Sequence, residues 1–205
     1  MKFRLFPVET RGLELLQELG TTVRHCVETL SELLGAPSED QPGLIRELEQ
    51  FEQRATDLHH GLLTHLRTSY VNPLPREDLY TFSRLLHDAV GELCGAGDLL
   101  VSTSVSGVSR RAAEQLEMLG RQSEMTNEAL ARLQHPDDLE DVWIQMIRLS
   151  RRSRRTHRAW LGEIADLSKA SSILRHRAVA EQLQASVNSL RAVADHLGRV
   201  LVKES

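Results

Sequence analysis

Aromatic residues make up only 4% of this 205-residue chain, and it holds just 12 glycines and 6 prolines. Sheets draw on aromatic and β-branched residues with frequent turns, so this shortage argues for helix over strand. Cysteine is scarcer still. Cys26 and Cys94 stand alone, with neither a disulfide framework nor a paired-thiolate metal motif, as suits a reducing compartment. No run approaches the roughly 18–20 apolar residues that span a bilayer. Met1 to Pro7 lacks the apolar stretch of a secretory signal, so a cytoplasmic location is expected, free or peripheral at the inner face of the plasma membrane. Positive charge is not in excess: the net charge is -4 and the pI about 6.1, which excludes a general nucleic-acid binder. No P-loop, GxSxG, HExxH or GxGxxG occurs, and no nucleophile sits with a base. No residue is assigned catalysis, and the chain is not expected to be an enzyme.

What is present is leucine, alanine, glutamate, arginine and glutamine, with 40% hydrophobic residues, enough for a substantial core. The clearest stretch runs from Leu44 to Leu100. Leu44, Leu48, Phe51, Ala55, Leu58, Leu62 and Leu66 recur every three or four residues, and Leu79, Phe82, Leu86, Ala89, Leu93, Ala96 and Leu100 do so again. Between them, Tyr70 to Pro75 carries two prolines that no helix interior tolerates. Pro75 fits a first helical position, and Glu77 and Asp78 follow where the helix dipole favours negative charge. The spacing predicts a helical hairpin.

The same periodicity places a first helix from about Glu9 to Leu34, ended by Gly35-Ala36-Pro37. Ser102 to Gly107 reads as a loop or kink. A fourth helix spans about Ser109 to Leu133, with Ala113, Leu116, Leu119 and Leu130 as its core candidates. His135-Pro136 restarts the chain into a fifth, to about Leu167, striped by Leu139, Val142, Met146, Leu149, Trp160, Ile164 and Leu167. Its two apolar ends are separated by Ser150, Ser153, Arg154 and His157. A sixth runs from about Ser172 to Val202, with Val179, Leu183, Leu190, Val193, Leu197 and Val200 inward. The fold class is all-α: six long helices as two three-helix bundles, residues 1–107 and 108–205, packed as one unit.

Two groups of residues carry potential chemistry. A ferritin-like di-iron centre needs Glu-x-x-His on two helices, and no histidine here has a glutamate three positions before it. Asp88 and Glu92 do share a helical face, with Glu52, Asp57, His59, His60 and His87 as neighbours, a residual set for a metal. Charged flanks beside an apolar seam look the same. Arg148, Arg151, Arg152, Arg154, Arg155 and Arg158 form the densest charge run. It suits phosphate groups, anionic lipid or an acidic partner, or else it pairs with the acidic first half. That half, residues 1–108, holds 9 Lys/Arg against 16 Asp/Glu; residues 109–205 hold 16 against 13. Arg154 falls near the inner gap of the fifth helix, where burial without a partner would cost several kcal/mol.

Phe3-Arg4-Leu5-Phe6-Pro7-Val8-Glu9, the segment Leu66–Tyr80 (LRTSYVNPLPREDLY) and Val193-Ala194-Asp195 near the end together resemble PhoU-like proteins. The resemblance is to the accessory protein often encoded beside a Pit-type phosphate transporter, and it covers nearly the whole chain. It implies two three-helix bundles and a regulatory role in inorganic phosphate uptake. The partner it implies is the permease on its cytoplasmic side, or a phosphate-signalling protein. It also implies divalent or iron clusters held on [ED]-x-x-x-D repeats.

Here those positions are Glu52 and Thr56, His87 and Gly91, Ser150 and Arg154, and Arg191 and Asp195. Each repeat lacks at least one carboxylate, and two carry arginine, which repels cations. No cofactor is therefore expected. Glu52, Asp57, His87, Asp88, Glu92 and Asp195 remain as residual metal candidates, and Arg151, Arg154, Arg155, Arg158 and Arg191 as an anion or partner site. Arg154 and Arg191 are placed to meet across the fifth and sixth helices. Two other readings stay open: a helical scaffold that has lost phosphate control, and a metal-binding protein or metal-dependent enzyme. Homo-oligomerisation is compatible with each.

Overall fold

The computed structural model describes residues 10–103, 109–134 and 136–204, and over them it is helical, with no strand. The helices are α1 (Arg11–Gly35), α2 (Gln41–Thr68), α3 (Arg76–Ser102), α4 (Arg110–Ala131), α5 (Glu140–Ala165) and α6 (Ala170–Glu204). A 3-10 turn, Pro136–Leu139, leads into α5. The expected start at Glu9, the Phe3–Glu9 marker, most of the Ser102–Gly107 break and His135 lie outside the described residues.

Local chemistry explains the boundaries. Ser109 caps α4 by accepting the Arg111 N–H at 3.1 Å. Pro75 stands one place earlier than its sequence position suggests, as the N-cap of α3, where its fixed backbone angle turns the chain and its carbonyl accepts from Asp78 and Leu79 at 3.0 and 3.2 Å. At the other side of the turn, the Arg76 guanidinium donates to the Ser69 carbonyl, and Asn72 Nδ2 donates to Ser69 Oγ at 2.9 Å. The segment Leu66–Tyr80 thus closes its own hairpin.

Helices α1, α2 and α3 pack on one another, as do α4, α5 and α6. The halves join through α1 on α4 and α3 on α6. Exchanging α1 with α4, α2 with α5 and α3 with α6 maps this set of contacts onto itself. α2 and α5 are therefore the outer helices, one on each flank, and one hydrophobic cluster runs through all six. All seven predicted α3 positions are buried, as are the predicted positions of α6. Leu79 and Leu86 are fully enclosed and Phe82 almost so; each such burial contributes roughly 1.5–3 kcal/mol. Gly20 of α1 lies directly against side chains of α4. A Cβ there would lie 2.6 Å from Leu130 Cδ1 and 3.0 Å from Asn127 Oδ1.

The second half departs from the sequence expectation in three places. Ala113 is exposed and Ala112 takes the core position. Leu149 is only half-buried, with Ser150 inward beside it. Arg154 is exposed, and Ser153 points into the gap instead. The common cause is a buried polar layer. Gln122 of α4 meets Ser150 of α5, Gln115 of α4 meets Gln184 of α6, and Thr126 and Ser153 are buried as well. The inward stripe of α4 and α5 is continuous, but its middle is not apolar.

Candidate functional site

Two faces carry the sequence-predicted site residues. The first is the outer surface where α2 meets α3. Thr56 Oγ1 and His87 Nε2 are 3.2 Å apart, and His59 Nδ1 lies 2.7 Å from Ser83 Oγ. The His59 and His87 rings stack loosely at 5.4 Å, with Tyr80 at 5.9 Å and His60 at 6.2 Å from His59. Burial, and then the imidazoles of His87 and His60, push His59 below the ordinary histidine value; Asp88 opposes them. A Cβ on Gly91 would sit 4.0 Å from Glu52 Oε1. Glu52 and His87, together with Thr56 and Gly91, which only the resemblance aligned, are thus neighbours in space. Ser83 and Tyr80 were missed; Ser83 precedes His87 by one helical turn, the signal that would have found it.

The donors do not suit a carboxylate-held metal cluster. Thr56 and His87 satisfy each other, Asp88 accepts from Arg84 at 2.8 Å, and Asp57 accepts from Gln53 at 3.1 Å. Glu92 accepts from Gln182 of α6 at 2.6 Å. Among the described residues no three His, Cys, Asp or Glu side chains form a metal-holding group. In the second half, Arg191 Nε donates to both carboxylate oxygens of Asp195, at 3.1 and 3.2 Å. Ser150 is buried and bonded to Gln122 at 2.7 Å. Arg191 is therefore closed on its own helix, while Arg154 stands on the exposed side of α5. Both cysteines are buried free thiols. Contact with Cys94, and then burial, push the Cys26 thiol far up.

The second face is the outside of α5. Arg148, Arg151, Arg152, Arg154, Arg155 and Arg158 are all exposed, opposite the buried stripe Met146, Ser150, Ser153, Trp160. α5 packs on α4, α6 and the 3-10 turn, away from the acidic first half. Among the described residues none of the six has a carboxylate at ion-pair distance, so the pairing with the first half does not occur. Elsewhere arginines are paired: Arg111 with Glu163 at 3.0 Å, Arg121 with Glu117 at 2.6 Å, Arg177 with Glu181 at 2.7 Å.

One buried ionic site was not read from the sequence. Asp78, 2% exposed, accepts from Lys203 Nζ at 2.9 and 3.0 Å, and His196 Nε2 lies 3.3 Å away. His196 also meets the Phe82 ring edge-on at 4.6 Å. Burial holds His196 below the ordinary histidine value, with Arg199 and Lys203 acting the same way and Asp78 opposing. The clasp joins the first turn of α3 to the end of α6, so Asp78 of the Arg76-Glu77-Asp78 motif ties the halves together.

No helix among the described residues is long and apolar enough to cross a membrane. No family model matches the chain, and no curated protein matches it either.

Proposed function

We propose that this chain is a PhoU-like regulator of inorganic phosphate transport. It would work by binding a Pit-type permease, or a protein that signals phosphate status, on the cytoplasmic side. The observation that carries this reading is the work done by the Leu66–Tyr80 segment. Arg76 closes the hairpin, and Asp78 bridges to α6. The most specific part of the resemblance therefore has a structural role in holding two three-helix halves together. Two features favour binding over chemistry. The polar groups of the α2–α3 face are engaged with one another, and the strongest unspent charge lies on a convex helix with no converging groups. Deleting the gene in its host and following uptake of labelled phosphate tests the proposal. A changed rate, restored by the gene in trans, together with recovery of a permease on the tagged protein, supports it. Unchanged uptake across phosphate-starved and phosphate-replete growth overturns it and leaves the scaffold reading.

A further inference from the structure

We infer that the outer face of α5 is a docking surface for an anionic lipid bilayer. Buried residues Met146, Ser150, Ser153 and Trp160 define the inner side of the helix. At 100° per residue, the six arginines fall in an arc of roughly 160° centred opposite that side. Residues 148–158 cover about 15 Å along the axis at 1.5 Å per residue. No acidic residue interrupts them: Glu140 and Asp141 precede the run, and Glu163 and Asp166 follow it. Glu163, the first carboxylate after the run along the chain, is taken by Ser109 and Arg111.

The geometry selects the occupant. α5 is an outermost helix, so its arginines diverge across a convex surface. They do not converge on one small anion, as a free phosphate site would require. Nor is there an apolar anchor among them. Among the described residues the exposed large hydrophobics are Tyr70, Tyr80, Leu174 and Val202, none on α5. A docked peptide helix draws on apolar residues set into a groove, and this face offers none. A planar sheet of phosphate headgroups matches both the shape and the sign. It accepts guanidinium forks at many points without needing a groove. With no inserted side chain, the attachment is electrostatic, reversible and sensitive to salt. The inference stands apart from the phosphate reading, since it uses only the charge and shape of α5.

Flotation with phosphatidylcholine vesicles, with and without a third phosphatidylglycerol, tests it on the full chain. Binding is expected only to the anionic vesicles at ~50 mM salt, and is expected to disappear near ~0.5 M, where screening acts within about 4 Å. Each basic residue near an anionic leaflet raises partitioning roughly fivefold. Arg151→Gln, Arg155→Gln and Arg158→Gln together are therefore expected to weaken binding at least about twenty-fold. A control of equal charge change, Arg46→Gln, Arg54→Gln and Arg67→Gln on α2, is expected to stay within about twofold. All variants are checked for unchanged helical circular dichroism, because every substituted side chain is exposed. Absence of binding by the folded protein at low salt overturns the inference. So does equal loss in the α2 control, which would make the effect one of net charge. Capture by an acidic polypeptide but not by vesicles overturns it in favour of a protein partner. Displacement by inorganic phosphate beyond that by chloride of equal ionic strength overturns it in favour of a small-anion site.

Discussion

Replacing Asp78 with alanine probes how the two halves are held. The carboxylate is 2% exposed and takes two hydrogen bonds from Lys203, at 2.9 and 3.0 Å. Hydrogen bonds to charged groups contribute about 1.5–3 kcal/mol. Lys203 is 53% exposed, so water screens the pair and the lower end of that range applies. Asp78 also lies in the first turn of α3, where a negative side chain against the helix dipole adds about 0.3–1 kcal/mol. The expected loss is about 2–3 kcal/mol, a fall in melting temperature of roughly 4–12 °C for a chain of this size. Urea unfolding followed by circular dichroism, with tryptophan fluorescence reporting on the second half, measures it. Lys203→Met leaves the buried carboxylate without its ammonium partner and should cost at least as much, and the double variant should show a coupling of about 0.5–2 kcal/mol. A loss below ~0.5 kcal/mol for Asp78→Ala, or no coupling to Lys203, would refute the clasp as a tie between halves.

Three further outcomes follow from the interior. Ser153 Oγ and Thr126 Oγ1 are buried without a hydrogen-bond partner, so Ser153→Ala and Thr126→Val are each expected to stabilise by about 1 kcal/mol in the same unfolding assay. Gly20→Val drives a side chain into Leu130 and Asn127; overpacking of about 1–3 kcal/mol is expected, read as a lower urea midpoint. Burial depresses His59, His157 and His196 below 6.5. The unfolded chain therefore binds protons near pH 6.5 that the folded chain refuses. Stability is flat above that pH and falls as pH drops below it. Melting at pH 7.5 and pH 5.5 reads the slope, and His157→Gln should flatten it; an unchanged slope would count against the buried imidazole as its source.

The first half was legible because the inward positions of its helices are mostly apolar, with leucine the commonest residue among them. The period of α1, α2 and α3 could be counted directly. In the second half the inward stripe crosses Gln115, Gln122, Thr126, Ser150 and Ser153, which a hydrophobic pattern passes over. That is why Ala113 stood in for Ala112, and why Arg154 looked inward when its neighbour Ser153 fills the space. The grouping of His59, His60 and His87 was visible from helical spacing once the hairpin was assumed. The Asp78–Lys203 bond spans 125 positions, and no local pattern reports a contact at that separation. The arginine run was plain in the sequence, but whether it was already neutralised depended on which helix lay beside it.

The buried amides of the second half act as an index. Gln122 meets Ser150 at 2.7 Å, and Gln115 meets Gln184 at 3.1 Å, only when α4, α5 and α6 sit at one axial setting. Sliding any of them by a turn would strand each amide in a dry interior, at a cost that leucine on leucine would not impose. The leucine-lined half is thus held by the quantity of its contacts, and the other by their identity. The six arginines of α5 consequently ride on a helix keyed in place, and their spacing outside is set by glutamine and serine within.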